Sequence, residues 1–84
     1  MSKYIITFYS HYEALKARRE LKEGRLISVP RTLSSSCGTA MEVEKDDNFI
    51  PDFKFEVLYK EEKEKYIKVL TSKMTEYNLY VEKE

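Results

Sequence analysis

The chain has 84 residues, which is enough for one domain with a modest hydrophobic core, so we expect a single domain over residues 1–84. Hydrophobic residues make up 42% and charged residues 36%, a composition typical of a soluble globular protein. The 15 basic side chains balance the 15 acidic ones, and a net charge of zero argues against a nucleic-acid-binding protein, whose affinity depends on a basic surface.

The N-terminal half predicts a strand, a helix and a second strand. Residues 3–9 are rich in β-branched and aromatic side chains, which is typical of a buried strand. Ser10, with a glutamate three positions later, is the start of a capping box, so we expect a helix over residues 11–23 with Gly24 at its C-terminal cap. Residues 25–29 form the next strand, which such a unit normally places parallel to the first.

The C-terminal half predicts further strands and a second helix. Residues 39–44 alternate apolar and acidic side chains, which indicates a half-exposed strand. A polar turn with Pro51 precedes another predicted strand at residues 53–59. Residues 61–77 carry apolar side chains at helical spacing, and a short strand is predicted at residues 79–81.

These elements predict an α+β protein with the split βαβ pattern of a ferredoxin-like sandwich. We expect an antiparallel or mixed sheet with two helices on one face. One strand is surplus to that pattern, and we expect it to extend a hairpin. The first two strands end at the same edge of such a sheet, so the loop after residue 29 should lie near the start of the first helix.

The most informative stretch of the chain is residues 28–39. It contains Cys37, preceded by three serines and followed by Gly38, which can adopt the positive φ that a tight turn requires. Backbone N–H groups in such a turn can bind an anion. Arg31 and the helix N-terminus near His11 add positive charge, which favours the reactive thiolate form of cysteine. We therefore expect an exposed, activated thiol.

Cys37 is the candidate catalytic residue. Its sulfur is the only thiol in the chain, so an internal disulfide is excluded. The candidate thiolate-stabilising or binding residues are Arg31, Ser34, Ser35, Ser36, Gly38 and His11. A lone cysteine is also often a small buried apolar residue, and a lone histidine at a helix start is often only solvated. One Cys, one His and scattered carboxylates lack metal-ligand spacing, so we predict neither a metal nor a cofactor.

The location is predicted from what the chain lacks. No apolar run approaches the ~20 residues that cross a bilayer, so we expect no contact with a membrane. The first residues lead directly into a strand-like segment without a signal peptide. We therefore expect a cytoplasmic protein, in which a free thiol stays reduced.

Two stretches, residues 8–15 (FYSHYEAL) and 29–38 (VPRTLSSSCG), resemble a family of small bacterial proteins described as selenium/sulfur carrier protein-like. Residues 30–38 match the Pro-Arg-x-x-Ser-Ser-Ser-Cys-Gly signature of that family. The resemblance covers residues 4–40. It weakens after Met41, because family members continue sooner into a final helix, whereas this chain inserts residues 46–59.

The resemblance implies a carrier. Cys37 would accept sulfur or selenium as a persulfide-type adduct and pass it to an acceptor protein, so the partners would be a protein donor and a protein acceptor. Such a protein is a carrier or a binding protein and not a turnover enzyme with its own substrate pocket.

Two other functions fit the residues. The first is a non-catalytic ferredoxin-like module for protein interaction or regulation, in which seven tyrosines and a free sheet edge supply a partner surface or a homodimer contact. Such a module should tolerate Cys37→Ser. The second is a thiol redox sensor that works through a sulfenic acid or a mixed disulfide.

Overall fold

The computed structural model describes residues 1–71. In chain order the elements are β1 (Ser2–Thr7), α1 (His11–Glu20), β2 (Arg25–Ser28), β3 (Thr39–Lys45), β4 (Val57–Glu62) and β5 (Lys65–Thr71). The five strands form one antiparallel sheet in the order β2-β3-β1-β4-β5. The predicted α+β class and the antiparallel sheet are confirmed.

The central strand of the sheet is β1. Tyr4 pairs with Val43 of β3 on one side and with Lys60 of β4 on the other. Tyr4 and the four residues that follow it are all buried. Their β-branched and aromatic side chains suit a strand that is covered on both faces.

The predicted start of α1 is confirmed by its cap. The hydroxyl of Ser10 accepts a hydrogen bond from the backbone N–H of Glu13 at 3.2 Å. The carboxylate of Glu13 in turn accepts one from the backbone N–H of Tyr9, also at 3.2 Å. The first bond satisfies a donor that a helix N-terminus otherwise leaves unpaired, and the second ties Glu13 to the residue before the cap, so the helix begins where the sequence predicts.

The C-terminal end of α1 differs from the prediction. The helix ends at Glu20, and Leu21 is its cap, so Gly24 does not occupy the capping position. A Cβ atom on Gly24 would lie 2.9 Å from Cγ of Met41 and 3.2 Å from the carbonyl oxygen of Leu21. Gly24 and Met41 are both buried, so this glycine is needed for space.

The second predicted helix is wrong within the described residues. Residues 61–71 belong to the end of β4 and to β5, which form an antiparallel hairpin. Lys63 and Glu64 make its two-residue turn, with φ values of 47° and 66°. Positive φ at both positions is typical of a type I′ turn, which normally contains Asn-Gly. Without that dipeptide, the Lys- and Glu-rich stretch resembles a helix.

The other C-terminal predictions are confirmed in part. The strand predicted at residues 53–59 begins only at Val57, as β4. It forms a hairpin with β5, whose residues were predicted as a helix, so this is not the hairpin that the sequence predicts. A ferredoxin-like sandwich needs two helices on one face, and residues 1–71 contain only α1, so that part is not confirmed. The end of the predicted helix and the strand at residues 79–81 lie outside the described residues.

The main core lies on the face of the sheet that carries α1. Residues 46–56, which we call the covering segment, add three phenylalanines to it. The ring centroid of Phe49 is 5.3 Å from that of Tyr4, and the ring of Phe53 stacks on Phe8 at 6.2 Å. Phe55 is 6% exposed. The insertion identified in the sequence therefore covers the core.

The opposite face of the sheet has a smaller apolar cluster, centred on Ile5, Ala40 and Tyr59. Within residues 1–71, no helix has the length and apolar character needed to cross a membrane.

Candidate functional site

Residues 29–38, which we call the thiol loop, connect β2 to β3 at the edge of the sheet where β1 ends and α1 begins. The backbone N–H of Val29 donates to the carbonyl oxygen of Gly38 at 3.1 Å, next to the paired residues Ser28 and Thr39. Nδ1 of His11 lies 3.1 Å from Oγ1 of Thr39. The predicted position of the loop, near the start of α1 and near His11, is confirmed.

Two turns shape the thiol loop. The backbone N–H of Leu33 donates to the carbonyl oxygen of Pro30 at 2.9 Å, which closes a turn with Arg31 at its exposed tip. Gly38 has a φ of 76°, and a Cβ there would meet no atom within 4 Å. Gly38 is therefore required for its backbone conformation and not for space, as the sequence predicts.

Cys37 is half-buried in this loop. Its side chain packs against the main core, and its thiol donates a weak hydrogen bond to the carbonyl oxygen of Thr39 at 3.5 Å. Its backbone N–H donates to Oγ of Ser35 at 3.3 Å. The thiol is therefore less exposed than the sequence predicts.

Two of the three loop serines bind other parts of the chain. Oγ of Ser35 donates to the carbonyl oxygen of Phe8 at 3.4 Å, which ties the loop to the end of β1. Ser36 donates twice to the carboxylate of Glu56, from its backbone N–H at 3.2 Å and from Oγ at 2.7 Å. These hydrogen bonds tie the loop to β1 and to the covering segment.

The remaining predicted site residues are exposed. Ser34 and Arg31 form no hydrogen bond or ion pair with any other residue of the described chain. His11 is also exposed, and Thr39 is its hydrogen-bond partner. His11 and Cys37 therefore both contact Thr39, whereas Arg31 lies at the tip of the turn.

Thr39 is a site residue that sequence reasoning missed. Its hydroxyl contacts the imidazole of His11, and its carbonyl oxygen accepts the thiol hydrogen bond of Cys37. The first residue of β3 therefore links the two candidates. No local motif marks this role, because it depends on β3 lying between β1 and β2.

Glu56 is the second missed residue, and it belongs to the covering segment. Its backbone N–H donates to the carbonyl oxygen of Thr7 at 2.7 Å, and the next N–H, from Val57, donates to Oγ1 of Thr7 at 3.1 Å. This pairing with the end of β1 fixes the carboxylate beside Ser36. Burial raises the pKa of the Tyr59 hydroxyl above its usual value of 10.0, and the charge of Glu56 raises it further.

The fold and the loop together define a small α+β protein with a single thiol on a braced loop. A family model described as "Putative Se/S carrier protein-like" matches residues 3–50, which run from β1 through the thiol loop to the start of the covering segment. This match spans more than half of the chain, and the protein belongs to this family. Searches among curated proteins and among solved structures return no significant match.

Proposed function

We propose that the protein is a carrier of sulfur or selenium, and that the transferred atom is attached to the thiol of Cys37. The observation that supports this most directly is the thiol loop itself. Hydrogen bonds in the family-matched region hold one half-exposed thiol in a loop, and the residue after that loop, Thr39, contacts His11 at the start of α1. The positive end of a helix dipole favours an anion, and a thiolate or a persulfide is an anion.

The proposed loading step is an exchange at sulfur. The Cys37 thiolate attacks the outer sulfur of a donor persulfide, R–S–SH, so a new S–S bond forms to Cys37. The S–S bond of the donor breaks, and the donor leaves as the thiolate R–S⁻. Transfer to an acceptor thiolate repeats the exchange, and neither step needs an external oxidant or reductant. Selenium in the outer position follows the same sequence of bonds.

The neighbouring residues have distinct roles in this proposal. Ser35 orients Cys37 through its backbone N–H, and Gly38 provides the turn that presents the sulfur. His11, held by Thr39, accepts the proton as the thiol ionises. Arg31, at the exposed tip of the turn, and Ser34, also exposed, would contact the partner protein. Donor and acceptor proteins are the expected partners, in the cytoplasm.

The experiment that tests the carrier is sulfur loading of the full chain. The protein is incubated with a cysteine desulfurase and cysteine, and the Cys37 peptide is examined by mass spectrometry. We expect a gain of one sulfur atom that dithiothreitol removes, and no gain in Cys37→Ser. If glutathione becomes persulfidated in the same mixture while Cys37 does not, the carrier role is wrong.

A second candidate is a non-catalytic interaction module, and the half-burial of Cys37 against the core favours it. In that case the sulfur only fills space beneath the loop. Iodoacetamide would then label Cys37 only after unfolding in urea, and Cys37→Ser would change stability alone. Labelling of the folded protein at a rate near that of a free thiol favours the carrier.

A further inference from the structure

Glu56 places an unneutralised charge beside the thiol loop. Its carboxylate accepts two hydrogen bonds from Ser36, the residue that precedes Cys37. No lysine or arginine within residues 1–71 forms an ion pair with it. Hydrogen bonds from neutral donors hold a carboxylate in place without cancelling its charge, so the field of Glu56 extends to its surroundings.

The sulfur of Cys37 lies within reach of this field. Adjacent Cα atoms are about 3.8 Å apart, so the carboxylate bound at Ser36 is on the order of one Debye length, about 8 Å at physiological salt, from the thiol. A charged reagent that approaches Cys37 therefore meets a fixed negative charge.

We propose that Glu56 is a specificity-determining residue of the Cys37 site: its carboxylate, fixed on Ser36, disfavours anionic sulfur donors and so selects persulfides in their uncharged form, R–S–SH. Thiosulfate is the simplest excluded donor. Its transfer would have the Cys37 thiolate attack the outer sulfur, with loss of sulfite as the S–S bond breaks. The substrate class inferred here rests on the proposed carrier function, whereas the electrostatic effect of Glu56 does not.

Glu56 lies outside the part of the chain that the family model matches. The family match ends at residue 50, and Glu56 follows it. Its carboxylate is fixed by the pairing of its backbone with Thr7, within the matched region. The later part of the chain thus adds a charge to a loop that the family-matched part supplies.

The test compares two alkylating reagents that differ mainly in charge. Neutral iodoacetamide and anionic iodoacetate both react by displacement of iodide by the thiolate. The ratio of their rates cancels the thiolate fraction and most of the steric access, and it reports the local potential. We expect Glu56→Gln to lower the iodoacetamide-to-iodoacetate ratio about two- to fourfold, the effect of one charge at this range.

Two control variants separate charge from loop structure. Glu44→Gln removes the same charge from an exposed position near the far end of β3, and it should leave the ratio unchanged. Ser36→Ala removes one hydrogen bond but keeps the carboxylate and the backbone N–H contact, and it should also preserve most of the ratio. An equal fall of the ratio in either control, or no fall in Glu56→Gln, overturns the proposal.

A salt titration of the unmodified protein gives the same answer if Glu56→Gln does not fold. Raising ionic strength from about 0.01 M to about 1 M shortens the Debye length from ~30 Å to ~3 Å, so the ratio should fall toward that of the urea-unfolded chain. A ratio that does not change with salt overturns the proposal. Failure of sulfur loading together with a Glu56-dependent ratio would reject the carrier and its substrate class, but not the electrostatic role.

Discussion

Residues 3–50 and residues 51–71 build the same sheet from different kinds of sequence information. The first region contains its own local signals, such as the cap at Ser10 and the positive-φ glycine at position 38. In the second region, Phe55 and Leu58 complete the core and Glu56 fastens the thiol loop, yet no local motif predicts these roles. The family-matched region therefore supplies the thiol, and the later region supplies part of its support.

The strongest test of this comparison is Leu58→Ala in β4. Leu58 is fully buried in the core that the first region shares, so truncation should lower the free energy of unfolding by about 3 kcal/mol, within the range for buried leucines. Urea denaturation measures this. Ile67→Ala in β5 is the control, because Ile67 is 45% exposed and its loss should have an effect below about 1 kcal/mol. If Leu58→Ala lowers the free energy of unfolding no more than this control, β4 is not part of the cooperative core.

Gly38→Ala tests the local signal in the first region. A non-glycine residue at a φ of 76° is strained, so we expect a loss of about 1–2 kcal/mol in the free energy of unfolding. Gly38→Asn should lose less, because asparagine tolerates positive φ better than alanine. Since a Cβ here meets no neighbour, equal losses in the two variants would contradict the conformational explanation.

The hairpin turn should allow a gain in stability. Lys63 and Glu64 both hold positive φ without being Asn or Gly. The double substitution Lys63→Asn with Glu64→Gly supplies the residues that a type I′ turn favours, and it should raise the free energy of unfolding by about 1 kcal/mol. Thermal denaturation measures the gain. Glu64→Ala, which retains a Cβ at positive φ, should show no gain; a gain in that control would contradict the turn assignment.

The acid side of the pH–stability profile should report on the first region. A hydrogen bond from Lys45 lowers the pKa of Glu23, and a hydrogen bond from Ser2 lowers that of Asp47. Because these pKa values are lowered in the folded state, the carboxylates stabilise the protein at pH values above their ordinary pKa values of 4.5 and 3.8. This stabilisation is lost as the pH falls through the folded-state pKa values. Both carboxylates are exposed, so the loss should be small. Glu23→Gln should reduce this loss in the free energy of unfolding, measured by urea titrations between pH 6 and pH 2.

The alkaline side should report on the second region, through Tyr59. Burial raises the pKa of its hydroxyl above 10.0, so the folded state retains a proton that the unfolded chain releases. The associated stability is complete below pH 10 and is lost as the pH rises through the folded-state pKa. Tyr59→Phe should make stability less dependent on pH in this range. An unchanged alkaline slope would show that Tyr59 ionises alike in both states.

Local chemistry explains which predictions succeeded. The start of α1, the strands around it and the position of the thiol loop follow from caps, alternation and the crossover rule, all of which act over short stretches or fixed topology. The helix predicted over residues 61–71 was wrong because Tyr66, Ile67 and Leu70 also fit one face of a helix. Only the pairing with β4 decides between helix and strand. The contacts of Thr39 and Glu56 are tertiary, so no reading of neighbouring residues could find them.

The central position of β1 has a consequence for how the protein folds. β1 precedes both of its partners in the chain, and the nearer partner, β3, is separated from it by the helix, β2 and the thiol loop. Its contacts therefore have a high contact order, which slows folding relative to a helical protein of similar length. Until Glu62 at the end of β4 has been synthesised, a nascent chain cannot pair both edges of this apolar strand, so β1 has an unpaired, aggregation-prone edge up to that point.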